Sequence, residues 1–183
     1  MKHSIRRAFI DYEKEEKWLN QLAAKGLAMT DYSWCRYVFE ETPPGEYTYR
    51  LELLENMATL PESRKYIEFL EETGVEQVAS YMRWVYFRKK TKDGPFNLYS
   101  DIDSKLRHYQ RVFQLWLVLG IAELVIGFSN TMLGIEQALS GEMNFNGWMG
   151  LPLLALGIFL LVGLALPLHR KIKRLKTEKE IME

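Results

Sequence analysis

Two predominantly apolar runs, Val112 to Leu133 and Trp148 to Leu168, stand out from a chain that elsewhere mixes apolar and charged residues. Each is close to the roughly 20 residues a helix needs to cross the hydrocarbon core of a bilayer, so the pattern predicts a two-helix transmembrane hairpin. Residues 134–147 between them hold two Glu and no Lys or Arg, whereas Lys105, Arg107 and Arg111 precede the first run and Arg170, Lys171, Lys173, Arg174 and Lys176 follow the second. Basic flanks mark the cytoplasmic side, which predicts a multi-pass cell-membrane protein with both termini cytoplasmic. The expected divisions are a cytoplasmic domain over 1–100, a juxtamembrane helix over 101–111, spans over 112–133 and 148–168, an extracytoplasmic loop over 134–147 and a cytoplasmic tail over 169–183.

Upstream of the runs the chain repeats itself. A shift of 48 positions lays Lys17, Trp18, Leu19, Leu22, Gly26 and Leu27 over Lys65, Tyr66, Ile67, Leu70, Gly74 and Val75, and Val38-Phe39 over Tyr86-Phe87. Apolar residues at helical spacing predict helices over 14–25 and 62–73, with Gly26 and Gly74 suited to left-handed C′ positions and Pro61 to a helix start. Strands are expected before the helices, at 4–10 and 46–54, and after them, at 27–41 and 75–90. The two long strands should bend near Asp31 and Ser80, and Thr42 to Gly45 should turn between the halves. Two βαβ halves in tandem give βαββαβ. That is the ferredoxin-like plan, an α+β fold whose antiparallel sheet carries both helices on one face.

Strand alternation then sorts side chains. If Phe39 and Phe87 face the helices, so do Cys35, Tyr37, Leu51, Leu53 and Val85, and Trp34, Arg36, Arg50, Trp84, Tyr86 and Arg88 share the other face. A bulge would flip part of this register. Clustered exposed aromatics mark contact surfaces. A second copy, the juxtamembrane helix or lipid headgroups could cover this face, guanidinium forks and rings could hold an anionic or aromatic small molecule, or it could be ordinary cross-strand packing.

Charge narrows the function classes. Residues 1–111 hold 18 Lys or Arg and 18 Asp or Glu, without the basic excess expected of a nucleic-acid-binding domain. The N-terminal residues contain no apolar stretch of signal-peptide length, so the first span is expected to serve as its own insertion signal. Cys35 is the single cysteine, which excludes an internal disulfide and reads as a small buried apolar side chain rather than a reactive thiol. His3, His108 and His169 lie far apart, so neither a metal site nor another cofactor is expected. There is no glycine-rich phosphate loop or Gly-x-Ser-x-Gly elbow, and the acidic pairs Glu15-Glu16, Glu40-Glu41 and Glu71-Glu72 sit where solvated helix or turn charge is ordinary.

Phe9, Lys14-Glu15-Glu16-x-Trp18-Leu19, Ala24-x-Gly26, Tyr37-x-Phe39-Glu40, Tyr47-x-Tyr49-Arg50-Leu51, Trp84-x-Tyr86-Phe87-Arg88-Lys89 and Tyr99-Ser100-Asp101 occur in that order. Over about Phe9 to Arg111 they resemble the bacterial family catalogued as domain of unknown function 2812. The resemblance implies a membrane-associated protein, mostly of Gram-positive bacteria and often encoded beside PadR-class transcription factors. It implies no activity.

Ser100-Asp101-Ile102-Asp103 has the chemistry of a helix N-terminus, and Ile102, Leu106, Tyr109 and Phe113 stripe a helix that continues without Pro or Gly into the first apolar run, a stiff connection. Ile172 and Leu175 extend the second run's pattern, as for a second stalk beside the first. Within the first run Gly120, Glu123, Gly127, Asn130 and Gly134 recur at spacings of three and four, and Gly150 and Gly157 do so in the second. They predict a helix interface of close backbone approach with a polar pair kept from lipid, in which Glu123 is either a structural hydrogen-bonding group or part of an ion or proton path.

The expectation is a non-enzymatic membrane-anchored sensor or adaptor whose cytoplasmic sheet face binds a ligand or partner. The alternative is an accessory subunit of a membrane transporter that uses its transmembrane hairpin as the binding element. Expected partners are membrane lipid and a second copy or another membrane protein, with a small-molecule ligand possible and no nucleic acid.

Overall fold

The computed structural model describes residues 2–99, 101–141 and 145–182. Ser100 and residues 142–144 of the expected loop lie outside them. The described chain forms two compact units that meet in sequence at Ser100 and Asp101.

In the first unit β1 (Lys2–Arg6), α1 (Tyr12–Ala23), β2 (Leu27–Ser33) and β3 (Arg36–Glu41) are followed by β4 (Tyr47–Leu53), α2 (Pro61–Glu72), β5 (Val75–Tyr81) and β6 (Trp84–Lys90). The α+β class and the tandem strand–helix–strand order are as the sequence predicts. The difference lies in the two long strands, which each fold into a hairpin, so every half is βαββ. Among the described residues the strands make two three-stranded antiparallel sheets, ordered β1-β3-β2 and β4-β6-β5. The bends expected within the long strands are bulges, at Met29/Asp31 in β2 and Gln77/Ala79 in β5, which are equivalent positions of the repeat.

Local chemistry explains the element ends. Asp11 caps α1, its Oδ1 accepting from Glu13 N at 3.0 Å, and Pro61 sits in the first turn of α2 where no N–H is needed. Gly26 and Gly74 follow the two helices at φ +84° and +82°. A Cβ on Gly26 would also stand 2.7 Å from the Thr42 carbonyl oxygen, whereas one on Gly74 meets nothing.

Two cores result. One gathers Leu19 and Ala23 of α1, Met29, Tyr37 and Phe39 of the first sheet, and Tyr49, Leu51 and Tyr86 of the second. The other gathers Ile67 and Leu70 of α2 with Val75, Val85, Phe87 and Phe96. The second sheet is therefore buried on both faces, one against α2 and the other against α1 and the first half. This corrects the expectation that both helices share one face and leave the other open.

In the second unit α3 runs unbroken from Ile102 to Leu139, capped by the Asp101 carboxylate, and α4 (Phe145–Phe159) begins before the expected Trp148. The connection is thus shorter than residues 134–147. A π-helical turn, Leu160–Ala165, joins α4 to α5 (Leu166–Met182). It lies just ahead of Pro167, which lacks an N–H and crowds the carbonyl four residues earlier, a usual cause of a π-bulge. Two helical stretches, Ile102–Leu139 and Gly147–Ile181, are long and apolar enough to cross a membrane. α5 lies beside the start of α3: Lys179 Nζ bonds Asp103 Oδ1 at 2.9 Å and the His169 and Phe113 rings are 5.6 Å apart.

Gly74→Ala should cost about 1–2 kcal/mol, the penalty of a left-handed backbone alone. Gly26→Ala should cost distinctly more, because Thr42 must also move. Thermal melts of the full chain in detergent check the order, and equal losses would show that the Thr42 contact is not limiting.

Candidate functional site

The six residues expected on one open face separate into two groups. Tyr86 is only 3% exposed and is a core residue. The reason is register: Leu51 pairs with Tyr86 and Arg50 with Phe87, so Leu51 faces the side of Tyr86, not that of Phe87. Arg50 is half-buried, with Nη1 on Glu16 Oε1 at 3.1 Å and Nε on the Phe96 carbonyl oxygen at 3.1 Å. Arg88 Nε bonds Glu76 Oε2 at 2.7 Å, and its guanidinium lies 4.2 Å from the Tyr47 ring centroid. These three arginine and tyrosine side chains hold the fold together.

Trp34, Arg36 and Trp84 lie at the tips of the two β-hairpins, and the tips adjoin: the Trp34 and Tyr81 rings are 6.0 Å apart, as are those of Tyr32 and Tyr81. Trp34 is 74% exposed and Met82, in the equivalent turn, 65%. Arg36 is exposed as well, while Trp84 is half-buried against Tyr12 at 5.4 Å. Two-residue hairpin turns ordinarily use Asn or Gly where φ is positive. Here Trp34, Cys35 and Met82 adopt φ +40°, +59° and +54°. Such conformations cost on the order of 1–3 kcal/mol each and gather at functional sites. Cys35 is half-buried in this turn, not in the core as expected. Tyr81 and Met82 were not singled out in the sequence. The signal available was the 48-residue repeat, which lays Met82 over Trp34.

The acidic pair also lies elsewhere than solvent. Glu15 is 8% exposed, and its Oε1 accepts the hydroxyls of Tyr37 and Tyr86, each at 2.6 Å. Tyr32 packs between the two phenol rings, 4.8 Å from one and 4.7 Å from the other. Burial raises the Glu15 carboxyl above its usual range, and the two phenol hydrogen bonds pull it back in part. Glu16 is raised by burial too, opposed by the Leu51 backbone N–H and by Arg50.

In the second unit the small residues of α3 and α4 meet. An added Cβ on Gly120 would stand 2.7 Å from Leu161 Cγ and 3.4 Å from the Gly157 carbonyl oxygen, and one on Gly127 2.7 Å from Leu154 N and 3.1 Å from the Gly150 carbonyl oxygen. Gly134 lies directly on Gly147, and Gly150 on Thr131. Glu123 and Asn130 flank this seam: both are half-buried, and the Asn130 amide donates to the Ile126 carbonyl at 2.9 Å within its own helix. No group of three or more His, Cys, Asp or Glu suited to a metal occurs among the described residues.

Fold and site together define a small two-sheet α+β unit followed by a helix pair long and apolar enough to cross a membrane. The chain belongs to the family described as protein of unknown function (DUF2812), which matches residues 11–121, from the cap of α1 into the middle of α3. No curated protein and no solved structure matches it.

A raised carboxyl favours folding below the unfolded value, near pH 4.3, and loses that contribution as pH rises through its higher folded value. Glu15→Gln keeps an acceptor for both phenols and cannot ionise. Its melting temperature should therefore gain on the wild type between about pH 4 and pH 7. A constant difference across that range would show that Glu15 is not the titrating group.

Proposed function

We propose that the protein is a membrane-anchored, non-enzymatic adaptor or sensor. Its helix pair inserts in the cell membrane with both ends cytoplasmic, and its α+β unit presents the paired hairpin tips to a partner or ligand. The observation that carries this reading is the strained, exposed pair Trp34 and Met82. Neither ring nor thioether is needed by a core, and both occupy backbone positions where Asn or Gly would cost less, which supports a contact with something outside the chain. Arg36 beside them supplies a fork for an anionic or carbonyl-bearing group. The insertion and its direction rest on the basic flanks and the Lys- and Arg-free connection.

The second reading, an accessory subunit of a transporter, is favoured by the polar residues of α3 within its apolar stretch, since ionisable groups in a span are functional candidates by default.

In a Cys35→Ser background, Ser140→Cys should react with an impermeant thiol reagent in intact cells and Thr177→Cys only after permeabilisation. The reverse pattern would overturn the topology. A photo-reactive side chain at Trp34 or Met82 of the full chain in its membrane should cross-link to a partner or ligand, and the same group at Lys17 on the exposed side of α1 should not. Equal labelling from both sites would remove the tips as the contact surface.

A further inference from the structure

α3 carries two stripes, and the helix pair uses one of them. Gly120, Gly127 and Gly134 receive α4. Glu123, Asn130 and Gln137 repeat at the same interval of seven, offset by three residues, which at 100° per residue turns them about 60° away from the glycines. Leu119, Ile126 and Leu133 sit four residues before them, and are 43%, 49% and 49% exposed. Polar residues at one heptad position and large aliphatics at the other make an a/d pattern, the seam of a parallel coiled coil. Glu123, Asn130 and Gln137 are half-buried, so part of each side chain stays open on the outside of the helix pair.

We infer that this second stripe is the contact between two copies of the chain, packed α3 against α3 in parallel. The inference rests on the membrane insertion proposed above, for three reasons. Lipid offers no partner to amide and carboxyl groups, so a polar stripe in a span calls for protein across from it. Copies inserted by the same topological signals cross the membrane in the same sense, so their α3 helices run parallel. In a parallel twofold contact each a-position residue meets its own counterpart. Asn and Gln are self-complementary in that setting, each amide carrying both donors and an acceptor. A different membrane protein would need a matching stripe of its own, whereas a second copy supplies one by symmetry. The glycine seam stays within each copy and the polar seam joins them.

The test uses the full chain, with Cys35→Ser, in native membranes and in lipid vesicles. Asn130→Cys should give an oxidative dimer of the chain with itself, and Phe128→Cys, on the far side of α3, should give far less. Association in vesicles, followed by energy transfer between labelled copies, should weaken roughly 3- to 30-fold for Asn130→Leu and for Glu123→Leu, while Glu123→Gln should remain near wild type. Equal cross-linking from positions 128 and 130, a monomer at every protein-to-lipid ratio, or cross-links from Asn130→Cys solely to other proteins would overturn the inference. Extraction of the chain from membranes by alkaline carbonate would instead overturn the insertion itself, and this inference with it, so the two failures are distinguishable.

Discussion

One carboxylate oxygen, Oε1 of Glu15, accepts a hydroxyl from Tyr37 of the first sheet and another from Tyr86 of the second. The two halves of the α+β unit cannot part without stranding a buried carboxyl and two buried phenols, each costly to leave unbonded. The same helix goes on to satisfy an edge. β4 is the outer strand of its sheet, so alternate backbone groups point away from β6. Asn20 bonds both the N–H and the carbonyl of Tyr49, at 2.8 and 3.0 Å, and Glu16 accepts the Leu51 N–H at 3.1 Å. An open strand edge invites pairing with other chains. Here α1 closes it with side chains, which is why an amphipathic helix carries Glu, Glu and Asn on the side turned inward.

The repeat explains both the likeness of the halves and their difference. Each helix packs on the Phe of its own sheet, Phe39 or Phe87, and each hairpin bulges at the equivalent place. α1 has a second sheet against its other side and α2 does not. Accordingly the positions of Glu15, Glu16 and Asn20 are occupied in α2 by Ser63, Arg64 and Glu68, of which Ser63 is buried and the other two face water. Strand β6 lies between the environments and alternates accordingly, with Val85 and Phe87 toward α2 and Tyr86 toward Glu15.

That asymmetry marks the limit of what was legible in the residues. Helix positions, their glycine ends and the two apolar runs follow from spacing and are as expected. The hairpin turns were hidden because Trp34-Cys35 and Met82-Arg83 lack the Asn or Gly that signals a two-residue turn. A missed turn makes one long strand of two. Alternation then fixes faces relative to an assumed partner, and the assumed partnership of Leu51 with Phe87 placed Tyr86, Arg50 and Arg88 outside. Glu15 looked solvated since a first-turn acid in an amphipathic helix normally is. Only the phenols brought from strands 22 and 71 residues away give it another role.

The helix pair shows why small and polar residues of one helix need separate accounts. Glycines let α3 and α4 approach until a single methyl would collide with backbone on the other helix, at Gly127 with Leu154 N at 2.7 Å. That packing is made mainly of backbone surface and dispersion. Thr131, which lies on this seam against Gly150, turns its hydroxyl back to the Gly127 carbonyl of its own helix at 2.8 Å. Glu123 and Asn130 sit to one side, and the Asn130 amide likewise turns to its own helix. These two hydrogen bonds stay within α3, so the close approach of the pair depends on residue size. A larger residue at Gly120, Gly127 or Gly150 would separate the helices, whereas an apolar residue of similar shape at Asn130 would leave their mutual packing nearly unchanged.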